Sequence, residues 1–225
     1  MEYLQEPEES AMAAKTIETK ILLLCLAALL TFELAAALLV REATCSSMLI
    51  QGVARAVEGV LLLVIVSVWG KGLGSIGLAQ DQILEGLKKG LIWSAAFGVC
   101  VLLGFAVLYA AGIDPLRLVR SDLPPNRQEM VLLFVVGGLV APIAEEVFFR
   151  GIVYGFLRRW GVLVALAGST AVFVLAHAIQ SGIPLTQIVG GIVFAVAYEI
   201  TGNLMVPITV HVLGNTAIFA LSLVP

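Results

Sequence analysis

Apolar residues run along this chain in long blocks separated by short polar connections. A hydrocarbon core about 30 Å thick is crossed by about 20 mostly apolar helical residues, so each long block predicts a membrane-spanning helix. Seven are predicted, from Ile21 to Val40, Val53 to Trp69, Leu91 to Ile113, Val131 to Leu157, Val162 to Ile179, Leu185 to Ile200 and Leu204 to Val224. Several are short or carry charge, so the range extends from six to eight spans. The predicted fold class is an all-α polytopic membrane protein.

The connections refine this layout. Near 71–90, Ile76, Leu84 and Leu87 recur at near-helical intervals opposite Asp81, Glu85 and Lys88, which predicts a helix lying on the membrane surface. Pro115, Pro124 and Pro125 then fall among three arginines, a composition that stops helices and stays in water. The chain divides there into a polar tail over 1–20, scaffold helices over 21–113 and a C-terminal core over 128–224, whose last four helices hold nearly all the unusual chemistry.

Composition agrees: the 225 residues are 60% hydrophobic and 13% charged, with a mean hydropathy of +1.04, far beyond what a soluble domain can bury. The net charge of -3 and scattered Lys and Arg form no basic patch, which excludes nucleic acid as a partner. The acidic N-terminal stretch lacks the basic start of a secretory signal, so the first helix is expected to stay uncleaved. Basic residues on alternate connections weakly favour a cytoplasmic N-terminus. Cys25 and Cys100 lie in apolar blocks and Cys45 in a loop, which offers no disulfide framework and reads as small buried hydrophobes.

Charged groups in spanning segments are costly and are functional suspects by default. Glu145, Glu146 and Arg150 stand inside the fourth block, His177 in the fifth, and His211 with Asn215 in the seventh, and the two histidines are the only ones in the chain. Glu146 and Arg150 are four apart and stack as an ion pair, whereas Glu145 is turned about 100° away and left free. Phe173 and His177 share that spacing, which lets the ring limit the imidazole's rotation. His211 and Asn215 repeat it.

These residues resemble the three ordered motifs of the CAAX protease and bacteriocin-processing superfamily, which includes the Ras-converting CAAX prenyl endopeptidase and the Abi membrane proteins. Glu145-Glu146-Val-Phe-Phe-Arg150 is similar to its E-E-x-x-x-R, Phe173-Val-Leu-Ala-His177 to its F-x-x-x-H, and His211-Val-Leu-Gly-Asn215 to its H-x-x-x-N. The likeness covers about 128–224 and implies an intramembrane endopeptidase acting on peptide or protein substrates, lipid-modified or membrane-anchored. Peptide hydrolysis needs a base for water and donors for the oxyanion. Glu145 is assigned as base with His177 as its partner, a pairing the resemblance also implies. His211 and Asn215 are assigned as oxyanion donors, with Glu146 and Arg150 as structural electrostatics and no cofactor.

Zinc held by Glu145, His177 and His211 is the rival mechanism, with the other glutamate as base. A proton-coupled transporter would use the same groups as a relay, and a non-catalytic immunity or scaffold protein would use them as interhelical glue. Elsewhere, Arg55 and Glu58 read as an interfacial ion pair and Glu199 as loop polarity. Trp160 reads as an interfacial anchor and Gly151, Gly155, Gly190 and Gly191 as close-approach surfaces. Glu33, well inside the first block, is left facing a cavity or a water defect.

Overall fold

A computed structural model describes residues 16–42, 46–177 and 184–224. The expected N-terminal tail up to residue 15, Cys45 and the end of the predicted fifth span lie outside the described residues. Among the described residues the chain is helical without a strand. Its long elements are α1 (Thr19–Glu42), α2 (Ser47–Trp69) and α3 (Ile83–Ala110). They continue with α4 (Arg127–Trp160), α5 (Val162–His177), α6 (Leu185–Thr201) and α7 (Met205–Ser222). Five, α1 to α4 and α7, are long and apolar enough to cross a membrane, and α5 and α6 are shorter apolar helices.

Each apolar block thus became a helix, but the stretch near 71–90 is not a single surface helix. Leu73–Ile76 and Gln80–Gln82 are short 3-10 turns, and α3 already begins at Ile83. The break has a backbone cause: Gly72 and Gly77 take φ of 79° and 75°, the left-handed side that ends a helix. The connection is then tied to the turn between α6 and α7. The Tyr198 hydroxyl donates to the Ile76 carbonyl at 3.0 Å, the Leu204 N–H to the Gly77 carbonyl at 3.0 Å, and the Asn203 amide to the Gln82 carbonyl at 2.9 Å. A Cβ at Gly77 would meet the Gly202 carbonyl oxygen at 2.6 Å, so this position needs glycine twice over.

α4 is the axis of the molecule. Its Ala141–Glu146 stretch is α-helical, and Leu133–Val140 before it and Val147–Tyr154 after it are π-helical. Pro142, within the α-helical stretch, has no N–H to donate four residues back, which interrupts the bonding of the preceding turn. Wider π turns of this kind concentrate at functional sites. Around α4 the neighbours approach at small residues. A Cβ at Gly59 of α2 would lie 3.3 Å from that of Ala144, and one at Gly137 of α4 would lie 3.1 Å from the Phe219 ring of α7. Between α5 and α6, a Cβ at Gly191 would meet Thr170 at 2.9 Å. Val147, Ile152, Tyr154, Ala165, Ala195, Tyr198 and Leu204 form the buried centre, while α1 and α3 expose residues such as Leu30, Leu102 and Val107, which suits a lipid-facing surface.

Candidate active site

Glu145 and Glu146 stand near the midpoint of α4, where adjacent positions point about 100° apart and send the two carboxylates to different surroundings. Glu146 is fully buried and so is Arg150. The Arg150 Nη1 donates to Glu146 Oε1 at 2.8 Å and its Nη2 to the Gly191 carbonyl at 3.1 Å. The guanidinium also lies over the Phe173 and Phe194 rings, 4.6 and 5.2 Å from their centroids, which recovers part of the cost of its desolvation.

His211 extends this pair across the bundle, from α7 to α4. Its Nδ1 donates to Glu146 Oε1 at 2.7 Å, and its ring stacks on Phe194 with centroids 4.5 Å apart and planes at 24°. One carboxylate oxygen therefore holds both Arg150 and His211. His177, on α5, is fixed differently: its Nδ1 donates to the Phe173 carbonyl at 2.8 Å, and the Phe173 ring lies 4.5 Å away.

Both imidazoles thus spend Nδ1–H on an oxygen acceptor and direct Nε2 elsewhere. That elsewhere is Glu145. Its Oε2 lies 3.6 Å from His177 Nε2 and 3.8 Å from His211 Nε2. These distances are too long for direct hydrogen bonds. The Glu145 side chain is 17% exposed and that of His177 30% exposed, so this side of the cluster opens outward while the Glu146 side is closed.

Glu145, Glu146, Arg150, Phe173, His177 and His211 therefore stand in one cluster. Asn215, one turn beyond His211 on α7, donates its amide to the Gly137 carbonyl at 2.9 Å, in the first π stretch of α4. Glu146 is more than the partner of Arg150, because it also orients His211. Phe194 was not singled out in the sequence, and Gly191 was read only as a close-approach surface, not for its carbonyl. An aromatic within an apolar helix carries no signal of its own, although the i,i+3 spacing of Gly191 and Phe194 places both on the face that meets Arg150.

Glu145, His177 and His211 are the residues that would hold a zinc ion here. Tetrahedral bonds of about 2.0–2.1 Å set ligand atoms about 3.4 Å apart, and both edges here are longer. Among the described residues no three His, Cys, Asp or Glu side chains are grouped so as to hold a metal.

Of the groups outside the motifs, Arg55 bonds Glu58 Oε2 at 2.7 Å and also pairs with Glu33 on α1. Glu199 accepts from the Tyr154 hydroxyl at 2.8 Å and from Arg158; it lies in the last turn of α6 and not in a loop, and ties α6 to the end of α4. Trp160 is exposed at that end.

Residues 127–217 match the family described as type II CAAX prenyl endopeptidase Rce1-like. YdiL of Bacillus subtilis (strain 168), a candidate membrane peptidase by its name, is 32% identical over 99 residues, covering 44% of this chain and 40% of its own. The membrane-embedded CAAX protease MroQ of Staphylococcus aureus (strain USA300) is 30% identical over 110 residues, covering 42% of this chain and 44% of its own. The chain thus spans about two fifths of the curated relatives it matches. No solved structure gives a match. With five helices suited to crossing a bilayer, this is a multi-pass integral membrane protein, and its residues 127–217 resemble the Rce1-like family of type II CAAX prenyl endopeptidases.

Proposed function

We propose that this chain is an intramembrane endopeptidase in which Glu145 activates water for attack on a peptide bond. The observation that carries the reading is the convergence of His177 Nε2 and His211 Nε2 on one oxygen of a partly exposed carboxylate. A water between them donates one proton to Glu145, the base, and one to His177 Nε2, whose lone pair faces the site because Nδ1–H is held by the Phe173 carbonyl. Attack on the scissile carbonyl leaves the proton on Glu145, which then passes it to the departing amine.

His211 serves the oxyanion in this scheme, on one condition. Its Nδ1–H already goes to Glu146, so it donates from Nε2 only when both ring nitrogens carry protons. The buried Glu146 carboxylate is the counter-ion for that imidazolium, and Arg150 fixes the carboxylate. Asn215 joins as a donor when its amide turns from the Gly137 carbonyl to a substrate. No step is routed through a metal. The description of the matching family and the name of MroQ point to substrates of the CAAX type, and we take a membrane-associated peptide, prenylated or not, as the substrate class.

The test uses protein purified into liposomes with internally quenched CAAX peptides, farnesylated and unmodified, in water enriched in the heavy oxygen isotope. Hydrolysis predicts a new C-terminus carrying solvent oxygen. Ion-driven solute uptake with no peptide cleaved would support the transporter instead.

A further inference from the structure

The winding of the first π stretch of α4 leaves one carbonyl without a backbone donor. The Ala141 N–H reaches back five residues to the Val136 carbonyl, as π winding requires. The next rung of that winding runs from residue 142 to the Gly137 carbonyl, and residue 142 is a proline, which has no N–H. A carbonyl freed in this way inside a membrane helix needs another donor, and neighbouring helices supply one. Here the donor is the Asn215 amide of α7, at 2.9 Å.

The sequence also clears the way for that bond. A Cβ at Gly137 would lie 3.1 Å from the Phe219 ring and one at Gly138 3.2 Å from Thr216 Oγ1, so bare backbone lets α7 come close enough for a short asparagine to reach α4. If the bond served only to satisfy the carbonyl, an ordinary residue at 142 would do so from within α4 and avoid the least favourable residue for a helix interior. What the proline secures instead is the orientation of an amide. A carbonyl accepts from the nitrogen end of a carboxamide and not from its oxygen, so Gly137 fixes which end of Asn215 faces α4. The second N–H of that amide has no partner among the described residues. One turn earlier on α7, His211 is fixed through Nδ1 by Glu146.

Resting on the peptidase reading, we infer that Pro142 is a positioning residue of the reaction centre. By withholding a backbone N–H it keeps the Gly137 carbonyl open, and that carbonyl holds the Asn215 amide nitrogen-first, ready to turn to the oxyanion. With an N–H at residue 142 the carbonyl would be taken from within α4, and the amide would lose the contact that sets its orientation.

Kinetics with the quenched CAAX peptides in liposomes, beside Tm in detergent, test this on Pro142→Ala, Asn215→Ala and the double variant. Pro142→Ala is expected to lower kcat roughly tenfold at unchanged KM, with Tm equal or higher. Asn215→Ala is expected to lower both kcat and Tm, since it strands the Gly137 carbonyl. The double variant then regains Tm through the new N–H while its kcat stays at the Asn215→Ala level. A double variant that regains kcat along with Tm overturns the inference in favour of a purely structural bond. Pro142→Ala with wild-type kcat also overturns it, while wild-type cleavage leaves the peptidase reading standing. If Pro142→Ala does not fold, lactic acid placed at position 142 by nonsense suppression decides, because its ester link has no N–H. Wild-type kcat in that variant supports the inference, and a folded but slow one overturns it. A wild type that cleaves no peptide contradicts the peptidase reading together with the inference.

Discussion

Glu146 accepts a guanidinium and an imidazole on the same oxygen in a fully buried setting, and removing it strands both. Breaking a buried pair by deleting one partner costs about 3–5 kcal/mol. Glu146→Ala is therefore expected to lower thermal stability in detergent by several degrees and to abolish cleavage, whereas Glu145→Gln keeps wild-type Tm. Equal Tm for Glu146→Ala would remove the structural role given to this carboxylate. The Glu146–Arg150 bond was legible because spacing of four on a helix makes contact almost inevitable. The Glu146–His211 bond was not, since it joins residues 65 positions apart and depends on how α7 leans on α4. Asn215 shows the limit of spacing arguments: sharing a face with His211 did not stop its amide from turning to the Gly137 carbonyl.

At the scale of elements, long apolar runs announced the helices, because nothing else satisfies a backbone in hydrocarbon. Their internal winding stayed hidden. Leu133–Val140 and Val147–Tyr154 are as apolar as an ordinary helix, so hydropathy does not distinguish the π turns that flank the glutamates. The start of α3 was missed for a related reason: its first turns, with Glu85 and Lys89 paired at 2.6 Å, are polar enough to read as a surface segment. Close crossings give a direct prediction here. A Cβ at Gly90 of α3 would lie 2.6 Å from the Thr209 Cβ of α7, an atom too near the backbone to yield cheaply. Gly90→Ala is expected to cost about 1–3 kcal/mol, read as a lower Tm, with α7 and its His211 shifted and kcat reduced. Unchanged Tm and kcat would show that this crossing is loose.

For the whole molecule, the cluster draws on α4, α5, α6 and α7, with α2 closing beside it. Its outward-opening half holds Glu145 and His177 and its sealed half holds Glu146 and Arg150. That division matches the proposed labour between water activation and scaffold. It predicts that a preparation stripped by a strong chelator, with metal content verified by elemental analysis, retains full peptidase rate. Loss of rate restored by zinc would instead make Glu145, His177 and His211 ligands. The most direct measurement of the central claim is the peptide-cleavage rate of metal-free wild type beside metal-free Glu145→Gln. The account predicts full activity in the first and at least about a hundredfold loss in the second at equal Tm, and a glutamine variant that cleaves at the wild-type rate would contradict it.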